Sequence, residues 1–254
     1  MLIRFSMYLD LTTRSDSMNE HVIRPVAVIH TDFKEKFGIP RQSTLVPELT
    51  GVITFEKRYR TYAAINGIEE YSHLWLLWGF SKSVRDEGPL TVCPPRLGGK
   101  VKRGVFATRS PYRPNSIGLS CVKLEQVIPD GDNGPILIVS GIDMLDGTPI
   151  YDIKPYMPYS DSFPEADGGF GQRHKDLHID VIFPKELLDM LPEDKQLAAL
   201  HLLQQDPRAA YNKEPGFVFG MEFAGFDIRF TADNDCLTVC EVIRSDSDGF
   251  SKVK

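Results

Sequence analysis

Cysteine is scarce in this chain: Cys93, Cys121, Cys236 and Cys240 are too few to staple a fold of 254 residues, and none stands in a Cys-x-x-Cys pair. Reduced thiols are therefore expected. The spacing of Cys236 and Cys240 would suit two metal ligands on a helix, but Leu237, Thr238 and Val239 between them are strand formers without a nearby histidine. His174 and His178 lie four apart with no further ligand type around them, so no metal site is expected. Long apolar runs are missing too, and nothing approaches the roughly 18 residues a membrane helix needs. The opening Met1-Leu2-Ile3-Arg4-Phe5-Ser6-Met7 has neither the apolar core nor the cleavage site of a signal peptide. A cytoplasmic protein without a membrane partner is the expectation. No Gly-x-Gly-x-x-Gly follows a strand, and the helical crossovers of a parallel sheet are missing, which disfavours a Rossmann architecture.

Acids are locally absent as well. The whole chain carries a net charge of −6, yet from Gly88 to Leu124 there is no Asp or Glu, while Arg96, Lys100, Lys102, Arg103, Arg109, Arg113 and Lys123 are basic. A local field, not the net charge, decides where a polyanion docks, so this stretch is a candidate phosphate-facing surface; a solvated face is the alternative.

What is present suits a β-rich protein with 42% hydrophobic residues. Val22–His30, Gly51–Phe55, His73–Phe80, Gly104–Arg109, Ile117–Ile128 and Ile136–Ile142 read as strands separated by Gly, Pro, Asn and Asp, with one short helix candidate at Tyr59–Asn66. The fold class expected is mainly β, an antiparallel β-barrel-like N-terminal domain with a small α+β C-terminal domain. Residues 1–20 read as a flexible extension, 21–160 as the barrel, 161–175 as a linker with Pro164 and Gly168-Gly169, and 176–254 as the second domain. There, Leu177–Phe183 suggests a strand and Pro184–Gln205 one or two helices, with Leu187, Leu188, Leu191 and then Leu197, Leu200, Leu203 at helical spacing. Phe217–Phe230 and Leu237–Ile243 suggest a terminal hairpin.

Several motifs carry chemistry. In Lys34-Glu35-Lys36-Phe37-Gly38-Ile39-Pro40-Arg41-Gln42, Pro40 stiffens a loop that presents a guanidinium fork and an amide. Tyr71–Phe80 holds aromatics that read as core, with His73 a packed histidine. Arg109 and Arg113 flank a proline-ordered turn suited to phosphates or a carboxylate. In Ile142–Tyr156, Asp146-Gly147 is a turn signal, which leaves Asp143, Asp152 and Lys154 clustered with Tyr151 and Tyr156. The carboxylates could hold ribose hydroxyls or an ammonium, or take a proton, and the tyrosines could stack on a base.

Taken in order, Lys34–Gln42, Ser72-His73-Leu74-Trp75, Pro95-Arg96-Leu97-Gly98-Gly99, Gly104–Asn115 with Ile117-Gly118, Asp146–Pro149 through Asp152–Tyr156, and Gln205-Asp206-Pro207-Arg208-Ala209-Ala210-Tyr211 resemble the TsaA-like (VirR/YaeB) family, over about residues 22 to 244. The resemblance implies a β-barrel that binds S-adenosylmethionine, usually as a homodimer. TRNA-modifying members transfer its methyl group to N6 of threonylcarbamoyladenosine at position 37, in the anticodon stem-loop of threonine tRNA. By the resemblance, Pro40, Arg41 and Gln42 contact the methyl donor, Ser81 and Lys82 line the same pocket where relatives often carry His-Gln, and Arg109, Leu119, Ile142, Asp143, Met144 and Leu145 complete it. Ser116 stands where many relatives have proline.

The N6 lone pair of such a base is delocalised, so alignment and a proton acceptor are both expected. Asp143 or Asp152 is the candidate acceptor, with Lys154, Arg109 or Arg113 engaging the modification's carboxylate or phosphates. Arg96, Lys100, Arg103, Arg113, Tyr156, Arg208 and Tyr211 are the candidate RNA contacts. Two rival readings stand beside this one: a donor-binding regulatory module that transfers nothing, and a methyltransferase for another RNA or a small molecule.

Overall fold

Alternation of apolar and other residues places one face of each N-terminal strand against a shared interior in the computed structural model, which describes residues 22–82, 89–94, 97–173, 178–208, 216–233 and 236–245. The proposed extension at residues 1–20, with Arg96, His174 and Tyr211, lies outside them. Strands β1 (Ala27–Thr31), β2 (Thr50–Phe55), β3 (His73–Gly79), β6 (Ile117–Ile128), β7 (Ile136–Ser140) and β8 (Thr148–Pro155) close a barrel in the order β1-β2-β7-β6-β3-β8, every pair antiparallel. Ile29, Ile53, Leu74, Leu76, Val122, Leu137, Val139 and Ile150 fill it and are excluded from water. Each such side chain stabilises the fold by roughly 1.5–3 kcal/mol relative to exposure. A small pair, β4 (Thr91–Val92) and β5 (Arg103–Gly104), lies in the crossover before β6.

Two local expectations are corrected and one strand was missed. Gly104–Arg109 is not a strand: after β5 the chain turns through a 3-10 helix at Val105–Ala107. The helix expected at Tyr59–Asn66 is a pair of 3-10 turns, Lys57–Tyr59 and Tyr62–Ala64, too short for an i to i+4 ladder. Residues Thr148–Pro155 form a full barrel strand, although their turn signal and charges gave little strand pattern. Between Leu77 and Trp78 the β3–β8 register slips, with Trp78 opposite Ile150 and Leu77 opposite Asp152, so Tyr151 is an extra residue bulged from the ladder. Beyond it Ile153 packs against the core while Asp152 and Lys154 form an exposed ion pair at 3.0 Å.

After short helices α1 (Pro158–Asp161) and α2 (Gly169–Arg173), the chain builds a four-stranded sheet from β9 (Asp180–Ile182), β10 (Phe219–Phe223), β11 (Phe226–Asp233) and β12 (Cys236–Arg244), in the order β10-β11-β12-β9. The expected hairpin is thus a three-stranded meander, because Ala224-Gly225 turns the chain inside Phe217–Phe230 with φ of 52° and 80°. Helices α3 (Lys185–Leu188) and α4 (Glu193–Gln204) precede it. The inward face of α4 is Ala198, Ala199, Leu202 and Leu203, whereas Leu197 is half exposed, because alanines allow closer approach than the leucine repeat implied. One continuous apolar cluster joins the two sheets. Phe33 meets Phe223 with ring centroids 5.5 Å apart, Lys195 pairs with Asp32 at 2.8 Å and His201 with Glu48 at 3.0 Å. The loop after β1 is therefore held between barrel and C-terminal unit. All four cysteines are free thiols. No helix among the described residues is long and apolar enough to cross a membrane.

Candidate functional site

A cleft of about 650 Å³ opens at one end of the barrel, within the 300–1,000 Å³ typical of small-molecule sites. Its walls come from four separated stretches: the loop Lys36–Gln42, the end of β3 with Ser81 and Lys82, the segment Phe106–Leu119, and the β7–β8 connection with Asp143 and Leu145. Thus Pro40, Arg41, Gln42, Ser81, Lys82, Arg109, Arg113, Leu119, Asp143 and Leu145, distant in sequence, meet around one space. Closure of the barrel achieves this by bringing β8 beside β3 and by docking the Lys36–Gln42 loop against the β7 exit, where Thr44 donates its amide to the Gly141 carbonyl at 2.8 Å.

Asp143 forms the polar floor. It accepts a hydrogen bond from Ser120 Oγ at 2.6 Å, and Ser120 Oγ in turn accepts from Trp78 Nε1 at 2.9 Å. The indole reaches Ser120 because its partner across the ladder is Gly118, where any Cβ would run into the ring. Burial pushes the Asp143 carboxyl up to about 6, partly opposed by the Ser120 hydroxyl, the Ser43 amide and the Arg109 charge. A carboxylate so placed is basic enough to take a proton near neutral pH, and ionised enough to attract a cation.

The rim is cationic and amide-rich. Arg109 Nη1 donates to Gln42 Oε1 at 2.5 Å, tying two walls together. Arg41 Nη2 donates to the Asp206 carbonyl at 3.1 Å, and Asp206 is gripped by Arg208 through Nε at 2.7 Å and Nη2 at 3.0 Å. Arg208, whose side chain is mostly buried, thereby supports the cleft wall from the C-terminal unit instead of facing outward. Lys82 donates to the Lys34 carbonyl at 3.4 Å and its own carbonyl accepts from Lys36. Arg113 is half-buried, donating to the Thr108 carbonyl at 3.2 Å, while Lys100 and Arg103 are exposed.

Other anticipated residues lie elsewhere. Ile142 and Met144 point into the core, so only their backbone could reach a ligand. Asp152 and Lys154 sit on the outer barrel wall, where Lys154 borders a shallow depression with Trp75, Leu77 and Phe163. Tyr156 packs against Trp75 and His73 on that same wall, at centroid distances of 5.8 and 6.2 Å. Sequence reading missed Ser120 and Trp78 as supports of Asp143, and Ile39, Phe80, Asn115 and Thr148 as lining. A polar residue at the inward parity of β6, between Gly118 and Val122, was the available signal for Ser120. Among the described residues, no cluster of three or more His, Cys, Asp and Glu is placed to hold a metal.

The chain is similar to known proteins over most of its length. Residues 28–162 match the tRNA-methyltransferase O N-terminal domain, and residues 176–245 match the TrmO C-terminal domain. The tRNA (adenine(37)-N6)-methyltransferase of Escherichia coli K12 is 38% identical over 221 residues, covering 84% of this chain and 94% of that protein. A putative S-adenosylmethionine-dependent methyltransferase of Pseudomonas aeruginosa, RcsF, is 40% identical over 218 residues, covering 83% and 92%. A crystal structure of TrmO from P. aeruginosa superposes with a TM-score of 0.72 at 32% identity, covering 91% of this chain and 100% of that one.

Proposed function

This chain belongs to the tRNA-methyltransferase O family, and we propose that it is an S-adenosylmethionine-dependent methyltransferase acting on N6 of the adenine at position 37 of tRNA, with threonylcarbamoyladenosine in threonine tRNA as the target. It works in the cytoplasm as a homodimer. The observation that carries the reading is convergence: one cleft gathers a half-buried carboxylate, a guanidinium–amide rim and apolar walls from four stretches of chain.

The cleft fits the donor by size and by chemistry. The carboxylate of Asp143 suits a cationic group, Arg41, Gln42 and Arg109 suit a carboxylate or ribose, and Pro40, Phe80, Ile117 and Leu119 offer flat apolar surface for an adenine ring. When bound, S-adenosylmethionine supplies a methyl group already activated on sulfur. The protein then has to align the target nitrogen and remove its proton. Asp143 is the proposed proton acceptor. Ser120 and Trp78 fix its orientation, and burial makes it more basic than an exposed carboxylate. Arg113 and the exposed cations Lys100 and Arg103 hold the phosphates of the anticodon arm or the substituent's carboxylate.

The test is a methylation assay with purified protein, labelled donor, and threonine tRNA with or without its threonylcarbamoyl group, read by mass spectrometry of nucleosides. Methylation only of the modified tRNA is expected. Donor binding without transfer to any RNA would replace the enzyme by a donor-binding module, and transfer only to another RNA or a small molecule would reassign the substrate.

A further inference from the structure

We infer that Phe106 is a stacking platform for a nucleobase of the substrate RNA at the mouth of the cleft; this deepens the tRNA-methyltransferase reading and rests on it. Phe106 lines the cleft yet is 79% exposed, an unusual position for a large ring. The backbone beneath it is fixed. Its neighbour Val105 is buried, and the Val105 amide donates to the Leu90 carbonyl at 3.0 Å. The Val105 carbonyl accepts from Thr108 twice, from the amide at 3.2 Å and from Oγ1 at 2.9 Å. The 3-10 turn Val105–Ala107 therefore pins one residue inward and holds the next one out in water.

The surroundings say what covers the ring. Arg109 and Arg113 line the same cleft, Lys102 and Arg103 are exposed immediately before the turn, and no acid occurs from Gly88 to Leu124. A second copy docking the same patch on itself would oppose like charges, whereas a polyanion with flat bases satisfies both the charges and the ring. The occupant is a base of single-stranded or splayed RNA, since only an unstacked base offers a face.

The experiment compares Phe106→Ala, Phe106→Leu and Phe106→Tyr in the full chain. KM for threonylcarbamoylated tRNA, donor affinity by calorimetry and sedimentation are measured for each. Ala and Leu are expected to raise the KM for tRNA roughly 10- to 100-fold, the range of one base–aromatic stack, with donor affinity unchanged within about twofold and with Tyr restoring the wild-type value. A Leu variant equal to wild type would show mere apolar packing and overturn the inference. So would an unchanged KM in the Ala variant, a loss of donor affinity, or a shift in sedimentation that marks a self-association surface. Wild-type protein that leaves this tRNA unmethylated would sink the preceding reading instead. Stacking is then judged by filter binding of the same tRNA to wild type and Phe106→Ala: weaker binding by the variant supports the contact, and equal binding overturns it.

Discussion

Two carboxylates from one short stretch of sequence have opposite surroundings: Asp143 faces into the cleft under Ser120, whereas Asp152 lies half exposed on the outer wall, paired with Lys154. In water the two groups have the same chemistry. The inner one is largely withdrawn from solvent, held by neutral donors and made more basic, while the outer one trades part of its water shell for a flexible cation. The difference teaches that membership in a charged motif says little about role, and that the side of the wall a residue occupies says a great deal.

Substitution of both aspartates breaks or upholds that contrast most directly. Asp143→Asn should lower kcat by about 10²- to 10⁴-fold, the range for loss of a proton acceptor, and Asp152→Asn by less than about threefold. Equal losses in single-turnover assays would erase the distinction.

A smaller effect concerns pH. Because burial raises the Asp143 carboxyl to about 6, kcat/KM should fall as pH drops through that value, and the limb should vanish in Asp143→Asn. Folding follows with the opposite sense. The native state holds this proton more tightly than the unfolded chain, so the group's stabilising contribution is complete below about pH 4 and is lost as pH rises through about 6. Above that pH, Asp143→Asn should be more stable than wild type by roughly 1–3 kcal/mol in urea titrations, with the gain fading at pH 4. A variant less stable at every pH would contradict the cost assigned to burying the charge.

The outer pair should matter least. Lys154→Met removes an exposed ion pair and should change stability by less than about 1 kcal/mol, as read by thermal melts at low and high salt. A larger, salt-sensitive loss would mean that the wall holds a functional charge after all.

Much of the barrel was legible in the sequence because β3, β6 and β7 alternate or run apolar between turn residues, and β6 spans the range its pattern implied. Strand β8 was not, because Asp152, Lys154 and two prolines dilute its pattern and the bulge at Tyr151 interrupts its period. The segment after Gly104 misled in the other direction, since Val105 and Phe106 look like strand formers while hydrogen bonds to the Val105 carbonyl bend them into a turn. Of the candidate site, Arg41, Gln42, Arg109 and Asp143 were recoverable from motif chemistry and family resemblance together. The bracing of Asp143 by Ser120 and Trp78, and of Arg41 by Asp206, depends on contacts between strands or between the two units, which local patterns do not encode.

The extra residue in β8 acts as a phase shifter for everything downstream of it. Were Tyr151 drawn into the ladder in place of the bulge, Asp152 and Lys154 would trade faces with Ile153, driving ions into hydrocarbon and Ile153 into water, and one residue added to the strand without a second bulge would do the same. Length variation between relatives should therefore be barred here and collect in the turn at 129–135, where an added residue leaves the phase of the wall untouched.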